Sequence, residues 1–408
     1  MSTARRTHGF RESVIRGMSR LAREHQAINL AQGFPNFAAP DLLKEAAARA
    51  IHDDINQYAI TWGAARLRQA LARRYLEWYG LDADPEREIT VTCGATEAMI
   101  STLLALVDPG DEVIVFEPFY ENYGPDTILA DARPVYVPLE PGRPLDLDRL
   151  AAAFSARTRA IVVNTPGNPS GRVLTRAELT AIAELCVRHD ALAVTDEIYE
   201  HIRFEGEHIP IATLPGMRQR TVTISGASKT FSVTGWRVGW IIAPADLTDA
   251  IRKVHDFLTV GAPAPLQEAV AEALDRLEPE FYRGLTAMYR GKRDLLHSAL
   301  ETAGFRCGPP EGAYYILADY TALGPAAGIT APDDTAFAVW LSREVGVTPV
   351  PGSSFFREGG GRSLVRFVFC KTEEILLEAA RRLRDMHDMT GAGERRSERP
   401  AIESGLQR

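Results

Sequence analysis

Seven short apolar runs alternate with amphipathic stretches between residues 88 and 243, and this alternation constrains the fold of the 408-residue chain more than any other feature. Such runs are typical of strands in a mostly parallel sheet that is covered by helices on both faces. The strands are predicted at residues 88–92, 112–116, 135–139, 160–164, 192–195, 222–225 and 238–243. We therefore expect a three-layer α/β domain that binds ligands at the carboxyl ends of its strands.

The rest of the chain predicts a second, smaller α+β domain. Beyond the sheet pattern lie a long helical stretch at 265–303, strands at 314–317 and 364–369, and helices at 334–344 and 372–388. We expect residues 1–27 to form an arm with one helix, residues 28–45 and 291–388 the small domain, and residues 46–290 the large domain. Residues 389–408 are rich in Gly, Ser, Arg and Glu and predict a disordered tail.

One lysine differs from the other four in the chain, which lie in charged helical patterns or at the start of one. Lys229 follows a β-branched predicted strand and has no carboxylate within ten positions on either side. Burial without a counter-ion would lower its pKa and make the amine a usable nucleophile. A lysine that only extends its charged end to solvent is the alternative on local sequence alone. A phosphate-binding P-loop is excluded, because that motif requires Gly where this chain has Ser228.

Four other features lie at predicted strand ends or inside an apolar strand. Asp196 ends a buried strand, where a carboxylate is costly unless a positive group meets it or it caps a turn. Residues 93–98 join a strand to a helix, and they either bind an anion at the N-terminus of that helix or only cap it. Asn168 lies in a Gly- and Pro-rich turn cluster, and turn chemistry does not require this residue. Arg366 in a core strand needs an acid, either internal or from a ligand.

Composition narrows the class of protein. The net charge of −8 argues against nucleic-acid binding, which requires a basic surface. The four cysteines are scattered and form neither a disulfide framework nor a metal site. Residues 1–16 lack the apolar core of a signal peptide, and no apolar run approaches the roughly 18 residues of a membrane helix. We expect a cytoplasmic protein that binds no metal, nucleic acid or membrane.

In this order and spacing, the motifs resemble those of the class I/II aminotransferases, pyridoxal-phosphate enzymes of fold type I. The resemblance covers residues 10–388 and is nearest to the kynurenine/glutamine, methionine and aromatic aminotransferase branch. It is carried by four motifs, Asn168-Pro-Ser-Gly171, Asp196-Glu-Ile-Tyr199, Ser228-Lys229 with Gly235-Trp-Arg237-Val-Gly239, and Arg366-Phe. It implies a large domain with the fold of pyridoxal-phosphate-dependent transferases.

The resemblance also implies roles around the cofactor ring. Lys229 would form the Schiff base with the cofactor aldehyde and shuttle a proton to and from the substrate α-carbon. Asp196 would keep the pyridine nitrogen protonated, so that the ring can accept the charge of a carbanion. Tyr199 and Asn168 would hydrogen-bond the ring's 3-oxygen, and Tyr120 would stack on the ring face.

At the two ends of the site, the resemblance implies groups for the phosphate and for the substrate. The phosphate group would be bound by Gly94, Ala95, Thr96, Ser228, Arg237, and Tyr58 from a partner subunit. Many relatives have a phosphate-binding Ser three residues before the lysine, where this chain has Gly226, so that Ser225 or Ser228 must substitute. Arg366 would bind the substrate α-carboxylate, with Asn168 and the Gly33 backbone assisting.

These roles predict a homodimeric aminotransferase that moves an amino group from an L-amino acid to a 2-oxo acid by a ping-pong route. No arginine for a distal carboxylate is evident in the sequence, and the predicted substrate-side loops are apolar at Phe34, Phe37, Ile60, Trp62 and 260–264. We therefore expect a donor with an uncharged side chain, aromatic, methionine-like or glutamine-like. A pyridoxal-phosphate lyase, decarboxylase or oxidase shares nearly all these residues and stays open. A cofactor-sensing regulator would usually carry a DNA-binding domain ahead of residue 10, which we do not expect here.

Overall fold

The computed structural model describes residues 13–357 and 359–397 together with residues 4, 7 and 8, and gives only the backbone of residues 387–397. The strands, in chain order, are β1 (Ile28–Asn29), β2 (Ile89–Thr92), β3 (Glu112–Glu117), β4 (Arg133–Pro138), β5 (Thr158–Asn164), β6 (Leu192–Asp196), β7 (Thr221–Gly226), β8 (Gly239–Ile242), β9 (Tyr315–Asp319), β10 (Val347–Thr348), β11 (Val350–Pro351) and β12 (Leu364–Val368). The helices are α1 (Val14–Glu24), α2 (Asp41–His52), α3 (Ala65–Tyr79), α4 (Ala95–Leu106), α5 (Tyr123–Leu129), α6 (Leu147–Ala153), α7 (Arg176–His189), α8 (Ala227–Thr230), α9 (Ala245–Leu258), α10 (Ala264–Arg276), α11 (Pro279–Thr302), α12 (Asp334–Trp340) and α13 (Glu373–Ser397).

The large sheet has seven strands in the order β2-β8-β7-β6-β5-β3-β4. All neighbours pair in parallel except β8, which runs antiparallel to both β2 and β7. In the register of β5, β6 and β7, Asn164 pairs with Asp196 and Asp196 pairs with Ile224. The last residues of these three strands therefore meet at one edge of the sheet.

Both faces of this sheet are buried, as the unbroken apolar runs predict. In β5, Ala160 and Val162 belong to a cluster with α4, α5 and α9, whereas Ile161 and Val163 belong to a cluster with α6 and α7. Successive side chains of a strand point to opposite faces. The sheet is therefore the middle layer of a helix–sheet–helix domain, which confirms the predicted fold class.

A second sheet, β11-β12-β9, is antiparallel and has β12 at its centre. Arg366 lies in the middle of β12, between Val350 of β11 and Leu317 of β9. The β1 strand pairs in parallel with β10. Phe305, Phe337 and other aromatic side chains fill the core beside this sheet and pack edge to face.

The seven predicted strands of the large sheet are confirmed to within two residues at each end. Three predicted elements are wrong in extent. The helical stretch 265–303 is two helices, because Pro279 begins α11 and cannot continue the helix before it. The predicted helix 334–344 is α12 followed by a π-helical turn at Leu341–Val345. The sequence also predicts a short strand that runs into a Gly- and Pro-rich turn over residues 28–37, and there the structure has only the two residues of β1.

Parts of the predicted termini lie outside the described residues, namely most of 1–12 in the arm and 398–408 in the tail. Disorder is predicted for residues 389–397, but these residues form the end of α13. The helix continues past its two glycines because Glu and Arg, which favour helices, follow them. The boundaries between arm, small domain and large domain stay predictions. Among the described residues, none of the helices combines the length and the apolar character that crossing a bilayer requires.

Candidate active site

A cavity of about 290 Å³ lies at the carboxyl edge of the large sheet, where β5, β6 and β7 end. Of the fourteen predicted site residues, eleven line it. These are Gly33, Ala95, Thr96, Tyr120, Asn168, Asp196, Tyr199, Ser228, Lys229, Arg237 and Arg366. Gly94, Ser225 and Tyr58 do not line the cavity. Seven chain segments that are separated in sequence thus converge on one volume.

Lys229 lies on α8, the single helical turn that follows β7. Its Nζ donates a long hydrogen bond of 3.4 Å to the Gly33 carbonyl and lies about 6 Å from the ring centres of Tyr199 and Tyr314. Within the described residues no carboxylate lies within ion-pair distance of Nζ, as the sequence predicts. Burial therefore lowers the pKa of Lys229 to about 8, and near neutral pH a useful fraction of the amine is uncharged.

Asp196 ends β6 and is buried. Its Oδ2 accepts a 2.8 Å hydrogen bond from the Tyr123 hydroxyl, and Oδ1 accepts a weaker one of 3.4 Å from the Ile198 amide. Burial raises the pKa of Asp196, and these hydrogen bonds only partly offset that effect. No cation among the described residues forms an ion pair with this carboxylate. It is therefore an acid that lacks a partner for its charge.

The Cys93–Gly94 turn and the start of α4 form the cationic end of the cavity. Gly94 has φ of 81°, and a Cβ there would lie 2.4 Å from a guanidinium nitrogen of Arg237. Gly94 is therefore required for the close approach of Arg237, although it does not line the cavity itself. The free amides of α4 begin at Ala95 and Thr96, where the partial positive charge of the helix favours an anion.

Of the two serines predicted for the anion, only Ser228 lines the cavity. Ser225 is buried in β7, and its hydroxyl donates a 2.9 Å hydrogen bond to Glu200. That contact corrects the expectation that Ser225 could substitute. Gly226, the position at which the resemblance implies a phosphate-binding Ser, has little room for a side chain, since a Cβ would lie 3.0 Å from the Val238 carbonyl.

Arg366 also lines the cavity and is only 1% exposed. One of its terminal nitrogens donates to Asn168 Oδ1 and the other to the Ala31 carbonyl, both at 2.8 Å. Its Nε has no hydrogen-bond partner, and within the described residues no carboxylate pairs with it. The internal salt bridge that the sequence left open is therefore absent there, and the guanidinium is available to an anion from outside.

Several cavity residues are not predicted by the sequence. The Tyr315 hydroxyl lies 2.6 Å from that of Tyr199, and its ring lies under the Arg366 guanidinium at 4.5 Å. Tyr123 binds Asp196, as described above. The helix α1 contributes Ile15 and Arg16 to the rim. These residues belong to no motif, and only the tertiary packing reveals them.

Other expectations about the walls of the cavity are not met in the single chain. The predicted substrate-side residues Phe34, Phe37, Ile60, Trp62 and 260–264 do not line it. Tyr58, which is expected to act in the partner's site and not in its own, is 87% exposed and does not line the chain's own cavity. Arg16 is exposed, lines the cavity and makes no ion pair with a described residue.

These features fit pyridoxal phosphate. The carboxylate of Asp196, which has no cationic partner among the described residues, suits a protonated ring nitrogen. The amides of Ala95 and Thr96, with Arg237, suit a phosphate. Lys229 supplies an amine of lowered pKa in the same cavity, and its pKa is sensitive to the charge on Asp196. The donor set of the cavity is therefore complementary to each charged group of this cofactor.

Comparisons with known proteins agree with this chemistry. The family model described as aminotransferase class I and II matches residues 25–383. The chain is 41% identical over 394 residues to a probable N-succinyldiaminopimelate aminotransferase, DapC, of Mycobacterium tuberculosis, covering 93% of this chain and 98% of that protein. It is 37% identical over 412 residues to human kynurenine–oxoglutarate transaminase 1, covering 93% and 97%.

Among solved structures, the fold is similar to that of YbdL from Escherichia coli, described as having a methionine aminotransferase function. The TM-score is 0.89 at 40% identity, and the match covers 94% of this chain and 100% of that chain. The chain therefore belongs to the class I and II aminotransferases, pyridoxal-phosphate enzymes that move an amino group from an amino acid to a 2-oxo acid.

Proposed function

We propose that Lys229 and Asp196 are the two central groups of this transamination. One observation carries the proposal: an amine of lowered pKa and a buried carboxylate without a cationic partner line the same cavity. Pyridoxal phosphate, when bound, supplies an aldehyde that reacts with amines and a ring that takes up the negative charge left by a departing α-proton. Asp196 holds a proton on the ring nitrogen, and Lys229 takes up and returns the substrate α-proton.

The residues around these two groups hold and orient the reactants. Ser228, Arg237 and the amides of Ala95 and Thr96 bind the phosphate. Tyr199 and Asn168 contact the 3-oxygen, and Tyr120 packs on the ring. The support for these roles is that all of these residues line the same cavity as Lys229 and Asp196.

Arg366 binds the α-carboxylate of the amino acid or oxo acid. Its fixed position between Asn168 and the Ala31 carbonyl leaves the guanidinium edge preorganised, so that little side-chain entropy is lost on binding. The Gly33 backbone, in the neighbouring turn, helps to bind this carboxylate. The turn is held in part by a 2.8 Å hydrogen bond that the Tyr314 hydroxyl donates to the Gly33 carbonyl. Orientation of the carboxylate aligns the α-hydrogen with the ring face.

The donor that we propose is an amino acid with an uncharged side chain, as in the methionine and kynurenine enzymes that the chain is similar to. The acceptor is a 2-oxo acid with a second carboxylate, for which Arg16 at the rim is the partner. An Arg16→Ala variant should raise KM for 2-oxoglutarate about tenfold. The KM of an uncharged acceptor such as 2-oxobutyrate should stay unchanged; equal effects on both acceptors would rule out this role.

The enzyme acts as a homodimer in this proposal, with Tyr58 of each chain reaching the phosphate in its partner. Tyr58 is 87% exposed and Phe257 is 93% exposed, which is unusual for rings on a monomer surface. Their segments adjoin, because His255 bonds to the Thr61 carbonyl at 2.7 Å. A second copy of the chain is the occupant of this face. Sedimentation should show a dimer, and a Phe257→Ser variant should weaken the association.

We further propose a cytoplasmic location. All four cysteines are unpaired, and their thiols are buried or partly buried. Free cysteines persist in reducing compartments, where disulfides are rare.

The central experiment is to mix the purified protein with a panel of amino acids in the absence of any oxo acid and to follow the cofactor's absorbance. Conversion to the aminated cofactor by uncharged amino acids is the expected result, and Lys229→Ala should bind these ligands without converting them. Release of pyruvate or ammonia without an acceptor would instead indicate a lyase. No spectral change with any amino acid would overturn the proposal.

A further inference from the structure

A buried histidine lies behind the start of α4 and does not line the cavity. His255, on α9, places Nδ1 2.8 Å from Glu97 Oε1 and Nε2 2.7 Å from the Thr61 carbonyl. A carbonyl oxygen can only accept, so Nε2 carries a hydrogen. The contact between Nδ1 and Glu97 then needs a second proton between the two atoms. The pair is therefore satisfied only while it holds both protons.

The other carboxylate oxygen of Glu97 reaches the turn before α4. Glu97 Oε2 accepts a 2.9 Å hydrogen bond from the Cys93 amide, and the Cys93 carbonyl faces Arg237 at 3.4 Å. Cys93 and Gly94 together set the position of Arg237 and of the first free amides of α4. Burial alone would lower the pKa of His255, but the hydrogen bond and the charge of Glu97, together with the hydrogen bond to Thr61, outweigh this effect and raise it.

Thr61, at the other end of the chain of hydrogen bonds, belongs to the loop 56–63, which also carries the exposed Tyr58. Four groups thus form one path from this loop to the turn beside the anion site: the Thr61 carbonyl, His255, Glu97 and the Cys93 amide. Each link is 2.7 to 2.9 Å long.

We propose that His255 is a positioning residue for the cofactor phosphate: through Glu97 it fixes the Cys93–Gly94 turn, and through Thr61 it fixes the loop that carries Tyr58 to the partner. One side chain thereby holds both an element that reaches the phosphate of its own chain and an element that reaches the phosphate of the partner. This inference rests on the proposed binding of the phosphate at α4, and it assigns no contact between His255 and the cofactor.

The test is the dissociation constant of pyridoxal phosphate, titrated into the full-length protein freed of cofactor. His255→Leu should weaken binding about tenfold, because both hydrogen bonds are lost. Hydrogen exchange of the free protein should become faster in residues 56–63 and 92–96. The buried pair of His208 and Glu197, also 2.8 Å apart, is the matched control. His208→Gln should lower stability without weakening pyridoxal phosphate binding.

Glu97 variants keep the inference testable if His255→Leu does not fold. Glu97→Gln can donate its amide to a neutral His255 and still accept from Cys93, so binding should stay within about threefold of wild type. Glu97→Leu should lose about tenfold. Equal losses in these two variants, or unchanged binding in His255→Leu, would overturn the inference. A wild-type protein that binds no pyridoxal phosphate would instead refute the proposed function.

Discussion

The hydroxyl of Tyr123 donates a 2.8 Å hydrogen bond to Oδ2 of Asp196, although 73 positions separate the two residues in the sequence. Burial raises the pKa of Tyr123 well above its ordinary value, so the phenol keeps its proton and acts as a donor. This bond stabilises the charged carboxylate, whereas burial opposes that charge. Tyr123 therefore helps to keep Asp196 ionised and ready to pair with a ring nitrogen.

Replacement of Tyr123 by Phe should remove the hydrogen bond to Asp196 while keeping the aromatic ring of residue 123 in place. Without the hydrogen bond the pKa of Asp196 rises further, so the acid limb of the kcat/KM profile should move to higher pH. We expect kcat at neutral pH to fall about tenfold. Tyr136→Phe, outside the cavity, is the control. An unchanged acid limb in Tyr123→Phe would show that the bond does not tune Asp196.

The lowered pKa of Lys229 predicts a pH-dependent stability of the protein freed of cofactor. The folded pKa is about 8 and the ordinary value is 10.5, so between these values the unfolded chain binds more protons than the folded chain. The free energy of unfolding should therefore rise with pH across this window. Below about pH 8 the buried charge of Lys229 destabilises the folded protein by its full amount. Lys229→Met should remove a penalty of up to about 3 kcal/mol at pH 7.

Urea unfolding of wild type and Lys229→Met at several pH values would measure this difference. It should shrink above pH 8 and vanish near pH 10.5. A difference independent of pH would mean that the charge of Lys229 is not the cause.

Replacement of Arg366 by Lys should weaken substrate binding without weakening cofactor binding. Lysine keeps the charge but cannot contact Asn168, the Ala31 carbonyl and a carboxylate with one planar group. We expect kcat/KM for the amino donor to fall roughly 10²-fold. Pyridoxal phosphate titration is the control, since the hydrogen bonds of Arg366 go to Asn168 and Ala31 and to none of the groups assigned to the phosphate. Equal losses of cofactor and substrate binding would contradict the assignment.

Replacement of Lys371 should have a smaller effect on binding of the amino donor than replacement of Arg366. It is buried, and its Nζ donates to the carbonyls of Gln32 and Phe34, at 3.1 and 2.9 Å, on either side of Gly33. Lys371→Met should loosen this turn and raise KM for the amino donor about fivefold, with little change in pyridoxal phosphate affinity. Lys253→Met, on an exposed helix face, is the matched control. An unchanged KM would show that the turn holds its position without Lys371.

The large sheet could be predicted from the sequence because its strands are buried on both faces and read as unbroken apolar runs. Site residues at strand ends, such as Lys229 and Asp196, could be predicted for the same reason, since parallel strands bring their carboxyl ends together. Their roles as catalytic groups remain predictions until the variants are measured.

Contacts between side chains from distant segments could not be predicted in this way. Tyr123 and Tyr315 reach the site only through the packing of α5 and β9, and neither lies in a motif. Ser225 and Ser228 could not be told apart by sequence, because the choice depends on where the turn from β7 into α8 places each hydroxyl. The rim residue Arg16 was missed because α1 has an amphipathic pattern and no catalytic signature.

The reversed direction of β8 has a consequence for how this scaffold can acquire new reactions. Because β8 starts at the edge where β7 stops, the connection between them delivers Lys229 and Arg237 to the same place from a single hairpin. The amine of Lys229 and the guanidinium that we propose to bind the phosphate, Arg237, thus lie on one continuous segment of the chain. The residues of α1 and β12 that we propose to contact the substrate lie on other segments, so they can change while the hairpin stays the same.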